Sequence, residues 1–337
     1  MEMHEALVMV WAMLLAFAVV MYVLLDGFDL GIGILFPFAK SHQHRDIMMQ
    51  SVAPIWDGNE TWLILGGGGL FVVFPLAYAL LMPAIYLLIL FMLIMLVFRG
   101  VAFEFRFKAR TSRWIWDWSF ALGSALATFA QGMVLGAFIQ GFDVDLERRA
   151  FVGGPFDWVS PFSIFTGFSL MAGYAALGAA WLIMKTEGDL QAWARRLMLP
   201  LTGAMLVLIG AVSLWTPLLS DEIFRRWFSW ENLVWLWPVP FAVLACGAGL
   251  FWAVRKGREH TPFLLTMALF ILSFIGLGVS VWPYVVPLDV TIWDAAAPAS
   301  SLIFFLVGAA VLLPVVLGYT AYTYWVFRGK VRPAEGY

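Results

Sequence analysis

The sequence has 337 residues, 63% of them hydrophobic and only 12% charged, with a mean hydropathy of +0.88. Soluble domains carry roughly 25% charged residues, so this composition excludes a water-soluble globular protein and indicates an integral membrane protein. A net charge of −2 leaves no basic excess for nucleic acid, and the single Cys246 excludes an intrachain disulfide and a cysteine-ligated metal site.

A bilayer core about 30 Å thick takes roughly 20 apolar residues per helix. On that measure nine spans are expected, at 6–38, 52–74, 77–103, 117–140, 161–184, 199–219, 234–254, 261–286 and 301–327. The first is too long for a straight perpendicular crossing. The second ends at Pro75, and the link to the third is short enough to demand a tight antiparallel hairpin. The opening residues MEMHE are acidic and lack the basic region of a signal peptide, so the first apolar run reads as a retained helix. No soluble domain interrupts the series, and residues 1–337 read as a single polytopic all-α membrane domain.

Loop charge orients the chain. With the N-terminus outside, the cytoplasmic segments are Lys40–Arg45, Arg106–Arg113, Lys185–Arg196, Arg255–Arg258 and Arg328–Arg332, which hold 15 of the 20 Lys and Arg residues. The outer loops hold only Arg148, Arg149, Arg225 and Arg226. Positive charge stays inside, which predicts a periplasmic N-terminus, a cytoplasmic C-terminus and an odd number of spans. Asp221–Asn232 carries Ile223, Phe224, Trp227 and Phe228 beside two arginines, as a short amphipathic helix on the outer surface would. Glu187–Arg196 is expected to lie similarly on the inner surface. Tryptophans at span ends (Trp114, Trp116, Trp118, Trp158, Trp282, Trp293, Trp325) read as interfacial anchors.

Four carboxylates break the apolar pattern: Asp26 and Asp29 in the first span, Asp57 and Glu60 in the second. Each costs ~2.5–3.5 kcal/mol or more in hydrocarbon and so needs a reason. Both pairs are spaced i, i+3 and fall in the inner half of their helices, at the level of Arg99, Glu104 and Arg106. Three readings fit such a cluster: a proton entry from the cytoplasm, a structural ion-pair network around Arg99, or the cation site of a transporter. Glycine pairs four apart, Gly27/Gly31 and Gly132/Gly136, and the run Gly66–Gly69 favour close helix packing. GFDLGIG follows an apolar helix rather than a strand, which rules out a nucleotide loop. His4, His42, His44 and His260 all lie outside the spans, so no haem is expected on this chain and no metal site is assigned.

The tracts DGFDLGIG (Asp26–Gly33), APIWDGNETWL (Ala53–Leu63), FRGVAFEFR (Phe98–Arg106) and TIWDAA (Thr291–Ala296) resemble subunit II of the bd-type quinol oxidases, with the cyanide-insensitive branch the nearer match. The order and spacing match over essentially the whole chain. The resemblance implies a multi-pass protein of the bacterial inner membrane and a partner, the haem-bearing subunit I, which carries two haems b, haem d and the quinol site. It implies oxidation of quinol and reduction of dioxygen to water, with protons for water drawn from the cytoplasm. Subunit II would then stabilise subunit I and supply proton access through Asp57, with Asp26 or Asp29 as the next station and Glu60 beside them. Arg99 and Glu104 would support that polar cluster, and for them and Glu60 a purely structural role stays open. Trp62 would line an oxygen route to haem d. Some family members also keep a quinone as a structural lipid or attach a small accessory subunit. Two rival readings are a stand-alone ion- or proton-coupled transporter using the four carboxylates and a purely structural assembly subunit. A transporter often carries an inverted repeat, and the tetrad has no later counterpart beyond Trp293-Asp294.

Overall fold

The computed structural model describes residues 3–331. Twelve α-helices follow one another, with two short hairpins between them. Helix α1 spans Met3–Leu35 and runs on as a 3-10 turn over Phe36–Phe38; α2 spans His42–Gln50, α3 Trp56–Val73, α4 Pro75–Phe105 and α5 Arg113–Gln140. The hairpin β1 (Val144–Asp145) and β2 (Ala150–Phe151) leads to α6 (Pro161–Lys185) and α7 (Gly188–Trp215). Then come α8 (Asp221–Phe228), α9 (Trp230–Leu236), α10 (Pro238–Arg255), α11 (Thr261–Val281), the hairpin β3 (Tyr284–Val286) and β4 (Val290–Thr291), and α12 (Ala299–Val326).

Eight of these helical segments are long and apolar enough to cross a membrane. The ninth expected span, α3, falls outside that group because its first two turns read WDGNETW, although its 18 residues match a crossing in length. Three further expectations are corrected. The surface helix expected at Glu187–Arg196 is instead the start of α7, which continues through Pro200 without a break. The expected span 234–254 lies within the apolar segment Trp230–Arg255, which starts four residues earlier and is jointed at Trp237 between α9 and α10, where Pro238 starts a new helix. The expected span 261–286 ends at Val281, since Pro283 cannot continue it, and residues 284–286 pair with β4 instead. The two hairpins are thus the departure from an all-α chain. The amphipathic helix near 221–232 is present as α8, capped by Ser220 and burying Ile223.

Chain reversals place the loops alternately at two ends. One end, the basic end, holds α2, the α4–α5 loop, the α6–α7 turn, the α10–α11 loop and residues 327–331. The other holds both β-hairpins. Across α3 and α4, Trp56 stacks on Phe103 (ring centroids 4.8 Å apart) and Glu60 meets Arg99, so these helices are antiparallel about the single residue Phe74. Capping is local and legible: Ser41 accepts from the His44 amide, and Ser160 and Ser163 form a reciprocal box around Pro161.

Helices α1, α5 and α6 make the centre. A Cβ placed on Gly31 would lie 1.8 Å from the Tyr174 carbonyl oxygen, and one on Gly132 would lie 2.6 Å from the Gly167 Cα. Backbone therefore touches backbone at both crossings, as small residues allow. The run Gly66–Gly69 differs: Gly67 and Gly68 meet nothing within 4 Å. Gly31→Leu is expected to prevent α1 from seating on α6. Thermal unfolding in detergent should register a loss of folded chain, whereas Gly67→Ala should be near neutral. Helices α10 and α12 sit at the periphery, with only 11% and 6% of their apolar windows buried.

Candidate functional site: a buried ion cluster between α1, α3 and α4

Arg99 on α4 is fully buried and faces three carboxylates. Its Nη1 donates to Glu60 Oε1 at 2.7 Å, and its Nη2 lies 2.9 Å from Asp26 Oδ1 and 3.8 Å from Asp29 Oδ2. The Asp26 pair is a charge contact without an aligned hydrogen bond, because both oxygens of Asp26 and Nη2 of Arg99 lack a hydrogen-bond partner. The guanidinium also lies against the stacked pair Trp56 and Phe103, 6.0 and 5.9 Å from their ring centroids. Such a face is favourable for Arg⁺.

Asn59 completes the inner wall. Its amide donates to Asp29 Oδ2 at 2.7 Å and to the Leu25 carbonyl at 3.2 Å, and its oxygen accepts from the Tyr324 hydroxyl at 3.0 Å. Tyr22 accepts a hydrogen bond from Gln131 of α5 one helical turn before Asp26. The cluster therefore ties α1, α3, α4 and α12 together. Burial is graded: Asp26, Asp29 and Asn59 are sealed, whereas the Glu60 side chain keeps 23% of its surface exposed.

The expected residues separate on this geometry. Asp26, Asp29, Glu60 and Arg99 meet. Asp57 does not join them and is exposed at the first turn of α3. The reason is angular: at roughly 100° per residue, Asp57 lies about 200° from Asn59, which faces the core. Glu104 is corrected likewise. It points away from Arg99 and pairs with Lys108 at 3.5 Å, both side chains being more than two-thirds exposed. Trp62 is buried, packs edge-on against Phe17 and lies beneath an open apolar groove of about 280 Å³ between α3 and α12, lined also by Leu65, Gly68, Leu312 and Val316.

Sequence reasoning missed Asn59, Tyr22 and Tyr324 as members. It also missed a second ion network at the basic end. There Arg106, fully buried, donates to Asp117 at 2.5 Å and to Asp46 at 2.7 Å, while Arg45 reaches Asp117 at 3.1 Å and Arg113 reaches Asp46. Arg106, the C-cap residue of α4, follows Arg99 by seven, the spacing of one helix face, and Leu96, Phe103 and Met92 share it. A third contact set lies beyond α12: Lys330 and Gln191 both bond Glu259, at 2.9 Å each, and hold its carboxyl below the usual range.

Among the described residues no group of three or more His, Cys, Asp or Glu side chains is arranged to hold a metal ion. The histidines do not fit a haem: His4 lies against the Ala297 carbonyl at the hairpin end, His42 and His44 belong to the short α2, and His260 precedes α11.

A polytopic helical membrane protein with one sealed guanidinium set against three carboxylates is the class that fold and site define. Residues 7–327 match the family model described as cytochrome bd terminal oxidase subunit II. The chain is 29% identical to cytochrome bd-I ubiquinol oxidase subunit 2 of Escherichia coli, over 97% of this chain and 96% of that one. It is 30% identical to cytochrome bd ubiquinol oxidase subunit 2 of Bacillus subtilis, over 96% and 97%. The solved structure of bd oxidase from Geobacillus thermodenitrificans shares the fold with a TM-score of 0.75, at 17% identity over 95% of this chain and 98% of that chain. The chain belongs to the cytochrome bd terminal oxidase subunit II family. It is thus a membrane-spanning subunit of a quinol-oxidising terminal oxidase of the inner membrane.

Proposed function

We propose that this chain is the haem-free second subunit of a two-subunit oxidase and that its ion cluster takes protons from the cytoplasm for dioxygen reduction. The haems, two of type b and one of type d, belong to subunit I. In this reading α3 is the ninth crossing, residues 1–337 form one membrane domain, the basic end is cytoplasmic and the N-terminus is periplasmic. The distribution of Lys and Arg supports that orientation.

The observation that carries the proposal is the imbalance at Arg99: one buried guanidinium faces Asp26, Asp29 and Glu60 within 4 Å. Fully ionised, the group would hold two negative charges in excess. Unbalanced buried charge costs several kcal/mol, so the cluster is suited to hold and exchange protons. Exposed Asp57 sits one turn before the partly exposed Glu60, and both lie toward the basic end. Protons would pass from Asp57 to Glu60 and then to Asp26 or Asp29, with Arg99 holding the acceptors in place. The orphaned oxygens of Asp26 and Asp29 leave room in the bonding pattern for bridging water. The open apolar groove beside Trp62 supports a second role, as a path along which dioxygen moves between α3 and α12.

The test of partnership is purification from native membranes through a tag on this chain. A reduced-minus-oxidised spectrum with b-type bands and a far-red haem d band is expected. A colourless, partner-free protein would overturn the oxidase-subunit reading and favour a transporter built on the same carboxylates.

A further inference from the structure

Helix α12 is loosely held along most of its length, and the open groove beside Trp62 separates part of it from α3. Its polar ties are concentrated at the two ends. At the hairpin end the Trp11 indole donates to the Leu302 carbonyl at 3.0 Å. At the basic end Lys185, 6% exposed, donates to the carbonyls of Phe327 and Gly329. Phe327 is the C-cap residue of α12, so a cation sits where the helix leaves free carbonyls and a partial negative charge. The Val331 amide returns a bond to the Lys185 carbonyl at 2.8 Å, and Lys330 bonds the Thr186 carbonyl at 3.0 Å. No carboxylate faces Lys185 among the described residues; its only other neighbour of note is the Trp181 ring, 5.3 Å away.

That same Trp181 stacks on Phe28 at 4.1 Å and meets the Tyr324 ring edge-on at 6.3 Å. Tyr324 stands three residues before the clamped helix end and donates to Asn59. Asp29 and the Leu25 carbonyl, both acceptors, fix the sense of the Asn59 amide, and the Tyr324 hydroxyl, donating to the amide oxygen, anchors its other end. Flipped, Asn59 would turn its oxygen on Asp29 and the Leu25 carbonyl, and acceptor would face acceptor at both.

We infer that Tyr324, held in place by the Lys185 clamp on the end of α12, is a positioning residue that keeps the Asn59 amide donating to Asp29. The inference rests on the proton-entry reading of the cluster. It joins the chain end at the basic end of the bundle to a fully buried carboxylate of the site. Tyr324 bonds the amide rather than a carboxylate and acts only through it.

The test uses the intact two-subunit oxidase with Tyr324→Phe, Lys185→Met, Lys185→Arg and Asp29→Asn. Two readouts are taken: the pH profile of quinol-driven oxygen uptake, and the carboxyl band in redox-induced infrared difference spectra that Asp29→Asn removes. An amide donating to a carboxylate favours its charged form, so Tyr324→Phe should move the profile to higher pH by roughly half a unit to one unit, the worth of one hydrogen bond. The Asp29 band should shift with it. Lys185→Met should give a smaller shift of the same sign, Lys185→Arg should keep the wild-type profile, and Lys185→Met combined with Tyr324→Phe should not exceed Tyr324→Phe alone. A merely structural Tyr324 would lower yield and leave profile and band in place, which overturns the inference. If Asp29→Asn leaves the profile unmoved, the proton-entry reading fails and the inference falls with it. If Asp29→Asn moves the profile and Tyr324→Phe does not, the positioning role alone is lost.

Discussion

Arg99→Met is expected to abolish accumulation of the assembled oxidase. The substitution keeps most of the side-chain volume and removes the only cation among the described residues within 4 Å of Asp26, Asp29 and Glu60. Removing one partner of a buried ion pair costs about 3–5 kcal/mol, and native proteins hold only about 5–15 kcal/mol in total. Here one residue serves three carboxylates on two other helices, so the loss falls on α1, α3 and α4 together. Arg99→Lys should do better without matching wild type. A lysine carries one point charge, whereas the guanidinium uses Nη1 for Glu60 and Nη2 for Asp26 at once. Charge balance can be tested directly by adding Asp26→Asn and Glu60→Gln to Arg99→Met. Yield of complex by size-exclusion chromatography in detergent should recover in the triple variant. If Arg99→Met alone accumulates at the wild-type level, Arg99 is not the cation on which the cluster depends.

Much of this was legible in the sequence, and the misses have a common physical origin. Span positions follow from hydropathy because a lipid-embedded backbone must satisfy itself within a helix, and eight helices lie close to where apolar length places them. Close packing was readable at Gly31 and Gly132, since glycine four residues from glycine exposes backbone. The carboxylate site was readable at Asp26, Asp29, Glu60 and Arg99 because ionised groups are costly in apolar sequence. Depth, however, is a one-dimensional coordinate. It placed Asp57 and Glu104 beside Arg99, where the angle around the helix turns both away. Tyr324 joins Asn59 across 265 residues, a contact that no local pattern carries. Asn59 itself stood in plain view between two acids, and its neutral side chain gave no electrostatic reason to look. The second network at Arg106 could have been found by counting seven residues on from Arg99.

Exposure within the cluster sets the order expected in kinetics. Glu60 is the only one of its three carboxylates open to the surroundings, and it reaches Arg99 directly. Glu60→Gln keeps the size and leaves an oxygen to accept from Arg99, so assembly and haem content should stay near wild type. What the amide cannot do is take up and release a proton. Quinol-driven oxygen consumption should fall about tenfold or more, corresponding to about 1.4 kcal/mol on the barrier of a step made rate-limiting. Asp57→Asn should cost less, about two- to threefold, because Asp57 is exposed and water can reach Glu60 without it. Its effect should disappear in a Glu60→Gln background, since a residue feeding Glu60 has nothing to feed once Glu60 cannot titrate. Proton uptake is the step at issue, so electron entry from quinol to the b haems should keep its wild-type rate in both variants when followed by stopped flow without oxygen. Equal turnover of wild type and Glu60→Gln at matched haem content would remove the proton path from this subunit. Arg99 and its carboxylates would then remain as a lock on helix register.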